Sequence, residues 1–281
     1  MIPASMRSLE DTLRMVEDSY DEMVETMIGM ISIPALAPVN GGDGESRKAD
    51  YLQGKLKGFD SVRRIDVPDD VDPNVMRSNI LAVKNGRKKG TVWVMAHMDV
   101  VPAGDPGLWD VPPYEPVYRD GRVYGRGTED NGQSVISSMF SSRAVIDQDL
   151  NGMSLGIAYV ADEETTSLKG IRYLLDQGVF TDDDIIIVPD WGSPNGSMIE
   201  GAEKSVLWLK VSVEGKACHG SSPQSGLNAY RVSTYLLADL MDRLPARFPA
   251  RDGMFRPPES TFEPTKRPAT VSYTHLTLPT I

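Results

Sequence analysis

Thr91-Val-Trp-Val-Met-Ala-His97-Met-Asp99 reads as a sheet strand that ends in a histidine and an aspartate two residues apart. Thr91–Ala96 is almost continuously apolar, the pattern of a strand buried on both faces. Alternation on extended backbone sends His97 and Asp99 to the same side. Sites in α/β sheets form at the carboxyl ends of strands. Two readings of the pair stay open. One residue ligates a metal and the other orients it through the second ring nitrogen, or the strand end is simply capped beside a solvated aspartate.

The neighbouring segments repeat the mixture of strand and helix. Leu9, Leu13, Val16, Tyr20, Val24, Met27 and Ile31 recur at helical steps and predict one helix ended by Pro34. A second helix is expected over Arg47 to Leu56. Strands are expected at Ser61–Val67, Asn79–Val83, Leu155–Val160 and Ile185–Val188, with helices at Gly132 to Ile146 and Ile171–Leu175. Asp120-Gly121 between two β-rich arms predicts a hairpin over Val117–Tyr124. This order argues for an α/β layered domain with a hydrophobic sheet. After about Glu200 the character changes: Val206–Val213 alternates like a half-exposed strand, and Leu227 to Leu244 reads as a long amphipathic helix. From Pro245 to Arg267 the chain looks like an extended connection.

Composition narrows the function. The 281 residues carry 29 Lys and Arg against 40 Asp and Glu, a formal charge of −11, which repels phosphate backbones and argues against nucleic-acid binding. Hydrophobic residues make up 40%, enough for a core. Cys218 is the single cysteine, so no disulfide forms within the chain. The opening residues have no apolar signal-peptide core, and no apolar run approaches a membrane span. A soluble cytoplasmic protein is expected.

Acidic residues recur where predicted strands end. Gly125-Arg-Gly-Thr-Glu-Asp130-Asn-Gly132 follows the hairpin and leads into a helix. It is no phosphate-binding fingerprint, because Glu129 and Asp130 would repel the phosphate. Asp130 is either a helix N-cap or a metal ligand. Asp162-Glu-Glu164 ends the strand before it, and adjacent acids there repel one another unless a cation lies among them. A solvated acidic loop is the alternative. Asp190 repeats the pattern after Ile185–Val188. His97, Asp130, Glu163, Glu164 and Asp190 form a mixed His and carboxylate set that suits zinc, cobalt or manganese. Cys218-His219 is a poor nucleophilic dyad, because adjacent residues on extended backbone point apart.

Taken in order, these segments resemble the M20 family of metallopeptidases and amidohydrolases. The matching residues are His97-Met-Asp-Val-Val-Pro-Ala-Gly104 with Trp109, Asp120-Gly-Arg-Val-Tyr-Gly-Arg-Gly-Thr-Glu-Asp130-Asn and Asp162-Glu-Glu164. They continue with Val188-Pro-Asp190, Gly215-Lys-Ala-Cys-His219 and Gly226-Leu-Asn228-Ala. The resemblance implies a zinc-exopeptidase-like α/β catalytic domain with a mixed sheet and a smaller α+β lid. It implies two divalent metal ions, zinc first, with His97 on one metal, Asp130 bridging, and Glu164 and Asp190 on the separate metals. It further implies that Asp99 orients His97 and that Glu163 is the general base. His219 polarises the scissile carbonyl, Asn228 contacts the substrate carboxylate, and the Asp130–Asn131 peptide is cis.

The implied organisation is a catalytic part over 1–203 and a partial lid over 204–271 that makes a homodimer. Residues 272–281 read as a non-native tail. The family's last metal-ligating histidine has no match, since His275 stands in an unrelated context, so a C-terminally truncated member is expected. The implied activity is hydrolysis of an amide or peptide bond beside a free carboxylate, in an N-acyl amino acid or short peptide. The alternatives are an inert fragment of the same type or a dimerisation module. A two-carboxylate glycosidase using Glu163 is a third.

Overall fold

The computed structural model describes residues 7–193 and 195–264. The expected tail over 272–281, with His275, lies outside the described residues. The chain divides into two compact units, Met1–Pro194 and Asn195–Ile281.

In the first unit the strands are β1 (Ser61–Pro68), β2 (Met76–Lys84), β3 (Thr91–His97), β4 (Val117–Arg119), β5 (Arg122–Tyr124), β6 (Ser154–Val160) and β7 (Ile185–Ile187). Five of them form a mixed sheet in the order β1-β2-β6-β3-β7. β1–β2 and β2–β6 are antiparallel, while β6–β3 and β3–β7 are parallel. The β4–β5 hairpin turns at Asp120 and Gly121, both at positive φ (54° and 75°), the backbone that a tight hairpin with right-handed twist needs.

Alternation along the strands splits the core into two layers. Ile80, Ala82, Ala96, Ile157 and Tyr159 face α2 (Tyr20–Ile31), α3 (Ser46–Gln53) and α4 (Ser134–Val145), meeting Met30, Leu52, Val135, Met139 and Phe140. Leu81, Trp93, Met95, Ala158 and Val160 face the other way, towards Leu174 of α5 (Ile171–Asp176). The central strands β2, β6 and β3 are thus covered on both faces, whereas the short edge strand β7 stays exposed.

The structure corrects several expected elements. The single N-terminal helix is two, α1 (Leu9–Glu17) and α2, separated by Asp18 and Ser19. These are residue types that favour helix ends over interiors. Leu9 and Leu13 stay exposed on α1, whereas α2 buries Thr26, Met30 and Ile31. The helix expected from Gly132 begins at Ser134. It is preceded by a π-helical turn over Thr128–Gln133, in which Asp130 and Asn131 depart from helical backbone.

In the second unit α6 (Ala229–Arg247) is capped by Asn228, whose Oδ1 accepts from the Arg231 amide at 2.9 Å. Val206–Val213 forms no strand. Its alternation offers a face, but a strand also needs a partner ladder, and none pairs with it among the described residues. Val206, Leu207, Leu209 and Val211 are exposed. No helix among the described residues is long and apolar enough to cross a membrane.

Gly156 of β6 sits opposite Trp93 of β3. A Cβ there would lie 2.3 Å from the indole. Gly156→Ala is expected to destabilise the first unit by about 1–3 kcal/mol, read as a lowered midpoint in thermal denaturation. An unchanged midpoint would show that Trp93 has room to move.

Candidate metal centre

The parallel strands β6, β3 and β7 all end on the same edge of the sheet, and the register of β3 and β6 sets His97 level with Val160. The residues that follow each strand therefore converge. His97, Asp130 and Asp190 bring ligand atoms within 4.8 Å of one another. His97 is buried, with Nε2 2.9 Å from Asp130 Oδ1 and 3.8 Å from both Glu163 Oε2 and Asp190 Oδ1.

The histidine ring is held from behind. Its Nδ1 lies 3.1 Å from the Asp99 carbonyl oxygen, and an N–H there donates to that carbonyl. With Nδ1 so committed, Nε2 is the atom turned to the carboxylates. The Asp99 carboxylate lies 3.6 Å from Nδ1 and accepts the Glu163 and Glu164 amides at 3.1 and 3.0 Å. Asp99 thus touches both the ring and the acidic turn.

Asp130 arrives on the π-helical turn, and its peptide bond to Asn131 is cis, as the resemblance implied. Asn131 is buried and its side-chain amide donates to Asp190. Ser134 donates to the Pro189 carbonyl, so α4 also steadies the segment carrying Asp190. The sequence marks Asn131 only through its cis peptide, and neither its side-chain role nor that of Ser134 is foreseen there. The only signal for these roles was their position directly after Asp130.

The three adjacent acids do not act alike. Asp162 is buried at positive φ (65°) and is ion-paired with Arg77. Glu163 reaches to 3.8 Å from His97 Nε2, and Glu164 feels the charges of Asp130 and His97 without joining the ligand cluster. His219 and Asn228 belong to the second unit. His219 is exposed, and its Nδ1 accepts from the Ser221 amide at 3.2 Å, which leaves the proton on Nε2.

The electrostatics of the metal-free protein fit a cation. Burial and the neighbouring Asp130 carboxylate push Glu164 up to about 7, and burial also raises Glu163. Burial alone would lower His97, but the bonds to Asp130 and Asp99 outweigh it and hold the ring well above the usual histidine range. Asp130 is lowered by its bond from His97. Glu164 Oε1 is buried with no hydrogen-bond partner. Carboxylates gathered on the open side of one buried imidazole, with one Glu164 oxygen orphaned, are the donor set of a zinc-type ion.

Bound metal must displace protons from this set. Below a pH of about 7 Glu164 keeps its proton, and His97 keeps one throughout the neutral range. Zinc affinity is therefore expected to rise from about pH 6 to about pH 8, by about tenfold or more per pH unit. Competition with a chromophoric chelator measures it, and a flat profile would contradict this charge assignment.

Comparison with known proteins gives a consistent picture. Residues 93–272 match the model of peptidase family M20/M25/M40. A protein of Methanocaldococcus jannaschii described as an uncharacterized metallohydrolase is 38% identical over 259 residues, covering 88% of this chain and 63% of its own length. One from Methanococcus maripaludis, described in the same words, is 37% identical and covers 87% of this chain and 61% of its own length. A succinyl-diaminopimelate desuccinylase of Paracidovorax citrulli is 29% identical over 75% of this chain and 55% of its own. Among solved structures, human carnosine dipeptidase 1 superposes with a TM-score of 0.55 and 26% identity, over 66% of this chain and 42% of that one. The chain spans about three fifths of the length of the two archaeal relatives. With the family model matched over most of the chain and the ligand set gathered at one sheet edge, the chain belongs to peptidase family M20/M25/M40.

Proposed function

We propose that this chain carries the metal-binding part of a hydrolase that cleaves an amide or peptide bond beside a free carboxylate. The observation that carries the reading is the convergence of His97, Asp130 and Asp190 within 4.8 Å, with the Glu163 carboxylate beside them. The names of the desuccinylase and dipeptidase relatives support N-acyl amino acids or short peptides as substrates. Two divalent ions, zinc first, are assigned to His97, Asp130, Glu164 and Asp190. Cobalt and manganese are the other candidates.

Such ions, when bound, supply Lewis acidity and lower the pKa of water. The remaining chemistry falls to the chain. Glu163, on the open side of the cluster and raised above the usual carboxylate range by burial, takes a proton from the attacking water. As oxygen bonds to the carbonyl carbon and the C–N bond breaks, the same carboxyl returns that proton to the leaving nitrogen. Asp99 keeps His97 and the Glu163–Glu164 turn in mutual register. His219, with its Nε2 proton, is assigned to the developing oxyanion. Asn228 is assigned to the substrate carboxylate through the amide nitrogen that its capping bond leaves over. Residues 204–271 are assigned to a lid that pairs two copies, and the protein to the cytoplasm.

Glu163→Ala is expected to lower turnover of N-acyl amino acids or dipeptides by about 10²- to 10⁴-fold while zinc stays bound. Turnover retained at the parent rate would remove the general-base role. Zinc stoichiometry separates the alternative: two ions per chain support the hydrolase, and one or none supports an inert fragment or dimerisation module.

A further inference from the structure

Arg77 is fully buried at the start of β2, close to the metal centre but not part of it. Its Nε donates to both Glu45 carboxylate oxygens at 2.9 Å, and its Nη2 to Glu45 Oε1 at 2.6 Å. Its Nη1 donates to Asp69 Oδ2 at 3.1 Å and to Asp162 Oδ1 at 3.0 Å, and Nη2 lies 3.9 Å from Asp99 Oδ2. One guanidinium thus reaches carboxylates from four separate segments.

Two of those carboxylates lead directly to the site. Asp162 is the hub of the turn carrying Glu163 and Glu164. Its carboxylate accepts from the hydroxyls of Thr165 and Thr166 and from the Lys169 amide, and its carbonyl accepts the Thr166 and Ser167 amides. Asp99 accepts the Glu163 and Glu164 amides. The antiparallel register of β2 and β6, extended beyond its last pair, sets Arg77 opposite Asp162. Asn79, on the same face of the strand as Arg77, binds the Ala161 amide and the Lys169 carbonyl and so closes the loop at both ends.

We propose that Arg77 is a positioning residue of the metal centre: by gripping Asp162 and bracing Asp99, it fixes the turn that aims Glu163 and Glu164 at His97. The inference rests on the metallohydrolase reading above. A planar fork with several fixed donors suits this task, whereas a lysine carries the charge without the fork. Residues that orient metal ligands through hydrogen bonds commonly change metal affinity by about 10- to 100-fold when replaced.

The test compares Arg77→Lys with the parent chain, using zinc alone in chelator competition and cobalt alone for its visible absorption. Circular dichroism and thermal denaturation report the fold. Arg77→Lys is expected to fold, to bind zinc about tenfold or more weakly, and to give a shifted cobalt spectrum. Leu56→Ala, in the core layer with Met30 and Phe140 on the face of the sheet opposite to Arg77, serves as the stability control. It should lower the melting midpoint while keeping zinc affinity within about twofold. Unchanged zinc affinity and cobalt spectrum in Arg77→Lys would overturn the proposal, as would loss of zinc by Leu56→Ala in step with its stability. If Arg77→Lys does not fold, Asp162→Asn decides by the same two readouts, because it keeps the shape of the Arg77 contact and removes its charge. If the parent chain binds no zinc, the metallohydrolase reading fails first, and this proposal falls with it.

Discussion

The parallel pairing of β3 with β6 is the constraint from which the site follows. It fixes His97 level with Val160, so the chain leaving each strand emerges at one edge of the sheet. β7 joins β3 in the same sense and brings Asp190 to that edge. A slip of one residue in either ladder would turn His97 to the opposite face. The apolar layers on both faces, with Tyr159 and Ile157 on one and Trp93 and Val160 on the other, make such a slip costly. Core packing and site geometry are therefore the same fact seen from two ends of the strands.

Charge is arranged in two tiers around that edge. The open tier holds Asp130, Glu163, Glu164 and Asp190 around one imidazole. The buried tier holds Glu45, Asp69, Asp99 and Asp162 against Arg77 and Lys48. Buried carboxylates survive ionised only when paired and hydrogen-bonded. Lys48 donates to the Met98 carbonyl at 2.9 Å, yet burial pulls it down to about 8. Cations thus balance the inner tier only in part, and the outer tier is left to something else.

Much of this was legible in the sequence, and the failures have physical causes. Strand runs such as Thr91–Ala96 are readable because burial on both faces demands apolar residues throughout. His97 and Asp190 are readable because ligating residues at the ends of such runs are conspicuous, and Asp130 because two glycines set an acid just before a helix. Adjacency alone does not separate Asp162 from Glu163 and Glu164; the resemblance gives roles only to the latter two, and the positive φ that turns Asp162 back into the protein is visible only in the structure. The apolar run that marks β2 in the sequence starts only after Asn79, so Met76, Arg77 and Ser78 fall outside the expected strand. Arg77 and Ser78 are buried, in a layer held by ion pairs and hydrogen bonds. Val206–Val213 shows the converse, a strand-like pattern for which the described residues form no β-ladder.

The hydrogen bond from His97 to the carbonyl of Asp99 has an evolutionary side. The acceptor belongs to the main chain, so every residue type at position 99 carries it, and point mutation there does not delete it. The ring's tautomer is thereby insulated from drift at its nearest neighbour. The Asp99 side chain is released for a separate duty, holding two amides of the acidic turn. Divergence at this position would alter the charge beside the ring and how the carboxylates are presented, while the main-chain bond keeps the imidazole's orientation as it is.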